Sequence, residues 1–194
     1  YFVAPQSGAL GEYFAQDWRR LPGERGRVSE PGHQFEWAWI LANYQRLTGR
    51  DMRGHIQRLV HSAERWGVDP DSGLVVNEVR DDGQLLDAGS RIWPNTERIQ
   101  AAVAMFDLFD EDPRPIFDMA SHALLTQFLE PAPRGHWIDR IDAAGASLSD
   151  HAPASSLYHL MIAFSEMQRV LPAVEQRFGT CSAPRALIAT IAPP

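Results

Sequence analysis

Apolar positions recur at helical spacing over residues 31–47, and the run is framed by signals that start and stop a helix. Pro31 suits the first helical position and Gly49 closes the segment. Asp51 is a good cap for a second helix running to about Trp66, so the two form a helical hairpin. After the turn Asp69-Pro70-Asp71-Ser72-Gly73, residues 74–79 and 84–87 flank Asp81-Asp82-Gly83, which predicts a short β-hairpin.

The same order then recurs. Helices are predicted over 94–109 and 114–129, followed by an extended segment at 136–142, a turn at Gly145 and a second short extended piece at 147–149. A third pair is expected from Pro153, with a first helix over 157–170 and a second starting at 173–178, beyond Pro172. Pro31, Pro94 and Pro153 mark starts 63 and 59 residues apart. This is an internal repeat of helix, helix and hairpin, and such units bury their apolar faces only by stacking or by closing into a barrel. In a closed barrel the first helices line the interior. Their amino-terminal ends then meet at one rim, bringing His33, Glu97 and His159 together.

Composition narrows the chemistry. The 194 residues are 44% hydrophobic, enough for a sizeable core, and the net charge is −7. Every basic residue is Arg, which removes the Schiff-base lysine and the P-loop lysine, and an acidic chain is a poor partner for nucleic acid. Arg19, Arg20, Arg25 and Arg27 form the one basic cluster, which is either a phosphate or carboxylate site or a solvated loop. Cys181 is alone, so no disulfide framework or cysteine-based zinc site forms within the chain, and a reducing, cytoplasmic setting is expected. No apolar run reaches the roughly 18 residues of a membrane span. The chain opens at Tyr1 without an initiator Met, and the expectation is a piece of something longer.

The chemistry-bearing residues sit at the helix starts. His33 and Glu36 lie three apart on one helix face and address one pocket, as an acid/base pair or as a packed histidine beside a solvated glutamate. Arg91-Ile92-Trp93-Pro94-Asn95-Thr96-Glu97-Arg98 offers an indole, an amide, a carboxylate and two guanidiniums, or ordinary capping by Asn95 or Thr96 with Trp93 in the core. His159 is a core histidine or the counterpart of His33 in the repeat frame. Two histidines facing one carbon abstract and return a proton near neutral pH, the chemistry of isomerases and epimerases. Trp37, Trp39, Trp93 and Trp137 offer flat surfaces for a sugar, or fill the core. His33, His136, His159, Asp139 and Glu97 are metal-ligand types, but no motif sets a geometry for them and no metal is expected. Nucleotide and serine-hydrolase motifs are absent.

These segments resemble the N-acylglucosamine 2-epimerase superfamily, in its D-mannose isomerase-like branch. The resemblance is carried by Gly26-Arg27, by Pro31-Gly32-His33-Gln34-Phe35-Glu36-Trp37-Ala38 and by the stretch from Arg91 to Arg98. Gly135-His136-Trp137-Ile138-Asp139 and Pro153-Ala154-Ser155-Ser156-Leu157-Tyr158-His159 complete it, in family order. It implies an all-α fold, an α/α toroid of six helical hairpins, of which this chain is the carboxyl-terminal half of one catalytic domain, with short β-hairpins between helix pairs. It implies His33 and His159 as the acid/base pair, and Glu36, Arg27, Trp93 and Glu97 as residues that bind or orient a monosaccharide, with no cofactor. It also implies a missing half-barrel, supplied from upstream or by a partner, with a homodimer among the arrangements. The expected reaction interconverts an aldose and a ketose through an enediol. A 2-epimerase on the same scaffold is the alternative, and an inverting glycosidase using two of Glu36, Glu97 and Asp139, or a non-catalytic repeat module, stands further off.

Overall fold

The computed structural model describes residues 2–180. Helix α1, Pro31–Thr48, begins with Pro31 and ends at Gly49, whose backbone is left-handed (φ 72°). Helix α2, Arg53–Trp66, follows, and the Asp51 carboxylate accepts the Arg53 N–H at 3.0 Å, as expected of a helix start. Helix α3, Ile92–Phe109, starts two residues before Pro94, which its first turn accommodates. Asn95 and Thr96 are therefore inside the helix and do not cap it. Helix α4, Arg114–Ala123, widens into a π-helical segment, Leu124–Leu129, where a single α-helix was expected.

The first helices are neighbours: α3 packs between α1 and α5, with α2 behind α1 and α4 behind α3. Two cores result, one between α1, α2 and α3 around Phe35, Ile56 and Leu59, and one between α3, α4 and α5 around Ile99, Phe117 and Met167. Helix α3 is buried on all sides from Pro94 to Met105, so its polar side chains need partners. Arg98 donates to both carboxylate oxygens of Glu64 at 2.7 and 2.8 Å and to the Gly73 carbonyl. Asn95 accepts the Val75 N–H and donates to Ser90 Oγ and the Arg91 carbonyl.

Short strands tie the helix starts to one rim. Strand β1, Val28–Ser29, pairs with β2, Glu78–Arg80, and β2 with β3, Leu85–Asp87, all antiparallel. Strand β4, Ser90–Arg91, pairs with β5, Arg140–Ile141. β1 runs into α1 and β4 into α3, so each pairing fixes where a helix begins. The expected first strand shrinks to Glu78–Arg80: Val75 makes only an isolated antiparallel bridge with Val68, while its N–H donates to Asn95 and its carbonyl accepts from Ser90.

The third unit differs from expectation. Helix α5, Ala154–Phe178, runs through Pro172 without a break. Pro172 removes one helical hydrogen bond, at a cost of about 3 kcal/mol. Burial of Met167, Val170 and Val174 on both sides of it holds α5 against α3 and α4, at about 1.5 to 3 kcal/mol each. No second helix of a third pair follows among the described residues, and Cys181 lies outside them. Exposed large apolar side chains gather on the two flanking helices, as the stripe Trp37, Ile40, Tyr44 and Leu47 on α1, and as Leu157, Tyr158 and Met161 on α5.

Candidate active site

Close approach of the first helices builds the site. A Cβ on Gly32 would stand 2.8 Å from both Pro94 Cβ and Trp93 Cη2, so only glycine lets the start of α1 sit against the start of α3. His33, next in sequence, then stacks beside Trp93 with ring centroids 5.1 Å apart. His159 packs against the same indole, with ring centroids 5.5 Å apart. Both histidines, Glu36, Trp93, Tyr158 and two serines line one cavity of about 240 Å³.

Each imidazole is tied to a carboxylate through Nδ1. His159 Nδ1 lies 2.6 Å from Glu97 Oε1, which also accepts the Gln100 side-chain N–H at 2.7 Å. His33 Nδ1 lies 2.9 Å from Glu12 Oε2, and Glu30 is 3.9 Å away. An ionised carboxylate only accepts, so opposite one, Nδ1 is the donor and Nε2 is left free, a base when the ring is neutral and an acid when it is protonated. The Glu12 bond, with the nearby Glu30 and Glu36 charges, raises the His33 pKa above its ordinary value against the opposing effect of burial. Burial raises the Glu97 carboxyl, opposed by its bond to His159. Burial likewise raises Glu30, and it raises the Tyr158 hydroxyl beside the Glu36 and Glu97 charges.

The structure therefore brings together His33, Glu36, Trp93, Glu97 and His159. Glu36, Glu97 and His159 place ligand-type atoms within 4.8 Å of one another, as do Glu12, Glu30 and His33. In both trios the imidazole Nδ1 is already engaged by a carboxylate, so a cation bound through Nδ1 would have to break that bond. Arg27 is not brought to the cluster. Its guanidinium donates to Asp81 and Asp82 at 2.9 Å on the β2–β3 turn. The rest of the basic cluster is similarly engaged: Arg20 pairs with Asp81, Arg19 with Asp17, and Arg25 lies over the Tyr13 ring. Asp139 accepts the Ser156 hydroxyl at 2.5 Å, and it lines an adjoining cavity of about 440 Å³. His136 is exposed. A larger concavity, about 760 Å³, is lined by Trp39, Asp107 and Arg169 and not by either histidine.

Glu12 and Gln100 escaped the sequence reading. Gln100 follows Glu97 by one helical turn and was within reach of a spacing argument. Glu12 stands on an irregular segment 21 residues before its partner, where no periodicity marks it.

The architecture is that of consecutive helical hairpins in an α/α toroid, with paired histidines at one rim. Residues 1–163 match the profile of the N-acylglucosamine 2-epimerase (GlcNAc 2-epimerase) family, and the chain belongs to that family. It is 37% identical over 179 residues to a mannose-6-phosphate isomerase of Rhizobium meliloti (strain 1021), covering 88% of this chain and 45% of that one. It is 27% identical over 177 residues to the N-acylglucosamine 2-epimerase of Rattus norvegicus, covering 87% and 42%. The crystal structure of a D-mannose isomerase superimposes with a TM-score of 0.73 at 21% identity, covering 86% of this chain and 46% of that one. The chain thus spans about half the length of these relatives.

Proposed function

We propose that this chain is the carboxyl-terminal half of a single α/α-barrel catalytic domain that interconverts an aldose and a ketose of the D-mannose/D-fructose type. The observation that carries the reading is a pair of imidazoles that pack against one indole and line one cavity, each bonded at Nδ1 to a carboxylate. One imidazole takes the proton from C2 of the open-chain aldose. The C–H electron pair becomes the C1=C2 bond of an enediol, and the carbonyl oxygen takes a proton. Return of a proton to C1, with loss of the proton on O2, gives the ketose. Glu36 and Trp93 bind and orient the sugar, and Glu97 orients His159. Arg27, already paired with Asp81 and Asp82, serves as a brace between the amino-terminal segment and the hairpin. The reading requires no cofactor or metal and no nucleic acid, and it places the protein in the cytoplasm. No helix among the described residues is long and apolar enough to cross a membrane. The remaining half-barrel, from upstream residues or a partner copy in a homodimer, covers the apolar stripes of α1 and α5.

The family profile and the rat relative favour one second reading, 2-epimerisation, in which the proton returns to the opposite face of C2. For the Glu36–Glu97 pair the inverting-glycosidase spacing does not fit: their oxygens lie within 4.8 Å, whereas inverting enzymes keep carboxyls about 6.5 to 9.5 Å apart. Incubation of the full-length protein with mannose in deuterated water tests the proposal. Ketose product supports isomerisation, a C2-inverted aldose supports epimerisation, and formation of neither overturns both.

A further inference from the structure

The carboxylate on His33 comes from neither a helix nor a strand. Glu12 lies between the backbone bridges Val3 to Leu10 and Phe14 to Arg20, on a segment fastened at several points. Its own N–H donates to the Val28 carbonyl of β1 at 3.3 Å, and the Gly11 N–H donates to the Phe2 carbonyl at 2.9 Å. Arg20 donates to the carbonyls of Phe2 and Ala9. The side chain is only 13% exposed and both its oxygens are used. Oε2 takes the imidazole at 2.9 Å, and Oε1 accepts the backbone N–H of Glu30, the residue before α1, at 3.0 Å. One carboxylate thus joins the ring to the start of the helix that carries it.

We propose that Glu12 is a positioning residue for His33: by holding Nδ1–H it turns Nε2 toward the cavity shared with His159, as Glu97 does from α3 for the opposite ring. This rests on the reading of the two histidines as the acid/base pair. Two differently anchored carboxylates make the pair unequal. Glu97 is buried within the helix packing and restrained by Gln100, whereas Glu12 comes from a surface segment and shares His33 with the carboxylates of Glu30 and Glu36. Arg91 pairs with Glu30 at 3.2 Å, and Tyr158 and His159 stand across the cavity. The net negative surroundings favour the imidazolium, so His33 begins the cycle as the acid more readily than as the base.

Nitrogen-15 NMR of the histidine rings, read with steady-state kinetics on mannose, tests this. In the unsubstituted protein the His33 signals should show a protonated, hydrogen-bonded Nδ1 across its titration; a neutral ring protonated at Nε2 overturns the proposal without any variant. In Glu12→Gln the His33 midpoint should fall by about one to two units. There kcat should drop on the order of 10- to 100-fold with KM within about threefold, and Glu12→Asp should recover part of both. An unmoved His33 midpoint in Glu12→Gln, or an unchanged kcat, overturns the proposal. Failure of the full-length unsubstituted protein to form ketose from mannose would instead sink the isomerase reading, while the ring signals would still decide whether Glu12 governs His33.

Discussion

His33 and His159 carry the same group into the cavity, but they stand in different solvent. His33 is half-buried and His159 nearly fully buried against Glu97. Substituting either with Asn should lower isomerase activity by about 10³-fold or more, measured as ketose formation. Stability should separate them. His159→Asn leaves the buried Glu97 carboxylate short of its partner and should cost about 1 to 3 kcal/mol in denaturant unfolding, while His33→Asn should cost less. The pH dependence has a definite sign. His33 is raised above its ordinary value near 6.5, so its contribution to stability is complete below that pH and fades as pH climbs through the folded value. Glu97 and Glu30, also raised, act in the same direction, their ionisation opposing the fold. The melting temperature should decline from about pH 6 toward pH 8.5, and the part due to His33 should vanish in His33→Asn. A flat profile across that window would contradict the Glu12 bond. At this scale the sequence was informative about residue types at helix starts and silent about Glu12, since an irregular segment carries no period from which a partner could be inferred.

The helices owe their placement to a few positions where size matters more than polarity. Gly32→Ala puts a methyl against Pro94 and Trp93 and should force the starts of α1 and α3 apart, costing about 1 to 3 kcal/mol. Activity should fall further than stability, because Trp93 packs against both histidine rings; activity retained alongside a lower melting temperature would show that this packing is unimportant. Pro172→Ala restores the N–H that α5 lacks at that turn, and calorimetry should find a higher melting temperature with little change in activity. The boundaries of α1 and α2 were legible from Pro31, Gly49 and Asp51, whose effects are local. The continuity of α5 was not, because the burial of Met167, Val170 and Val174 outweighs a local signal that by itself predicts a break.

Across the molecule, α3 is the element on which the rest depends, surrounded by α1, α2, α4 and α5 and joined to the loops by buried polar side chains. Arg98→Met should cost about 2 to 3 kcal/mol in denaturant unfolding, less than for a wholly enclosed pair, since Glu64 keeps part of its solvent. The sequence by itself determined the helical class, the repeat of hairpins and the three starts at which titratable residues recur, because periodicity, prolines and glycines act over a few residues. Only the tertiary structure decided which groups meet. It paired Arg27 with Asp81 and Asp82, brought Glu12 to His33, and set Glu97 against His159. Those choices depend on where buried charge finds an opposite charge or a donor, and that is set by the packing of helices distant in the chain.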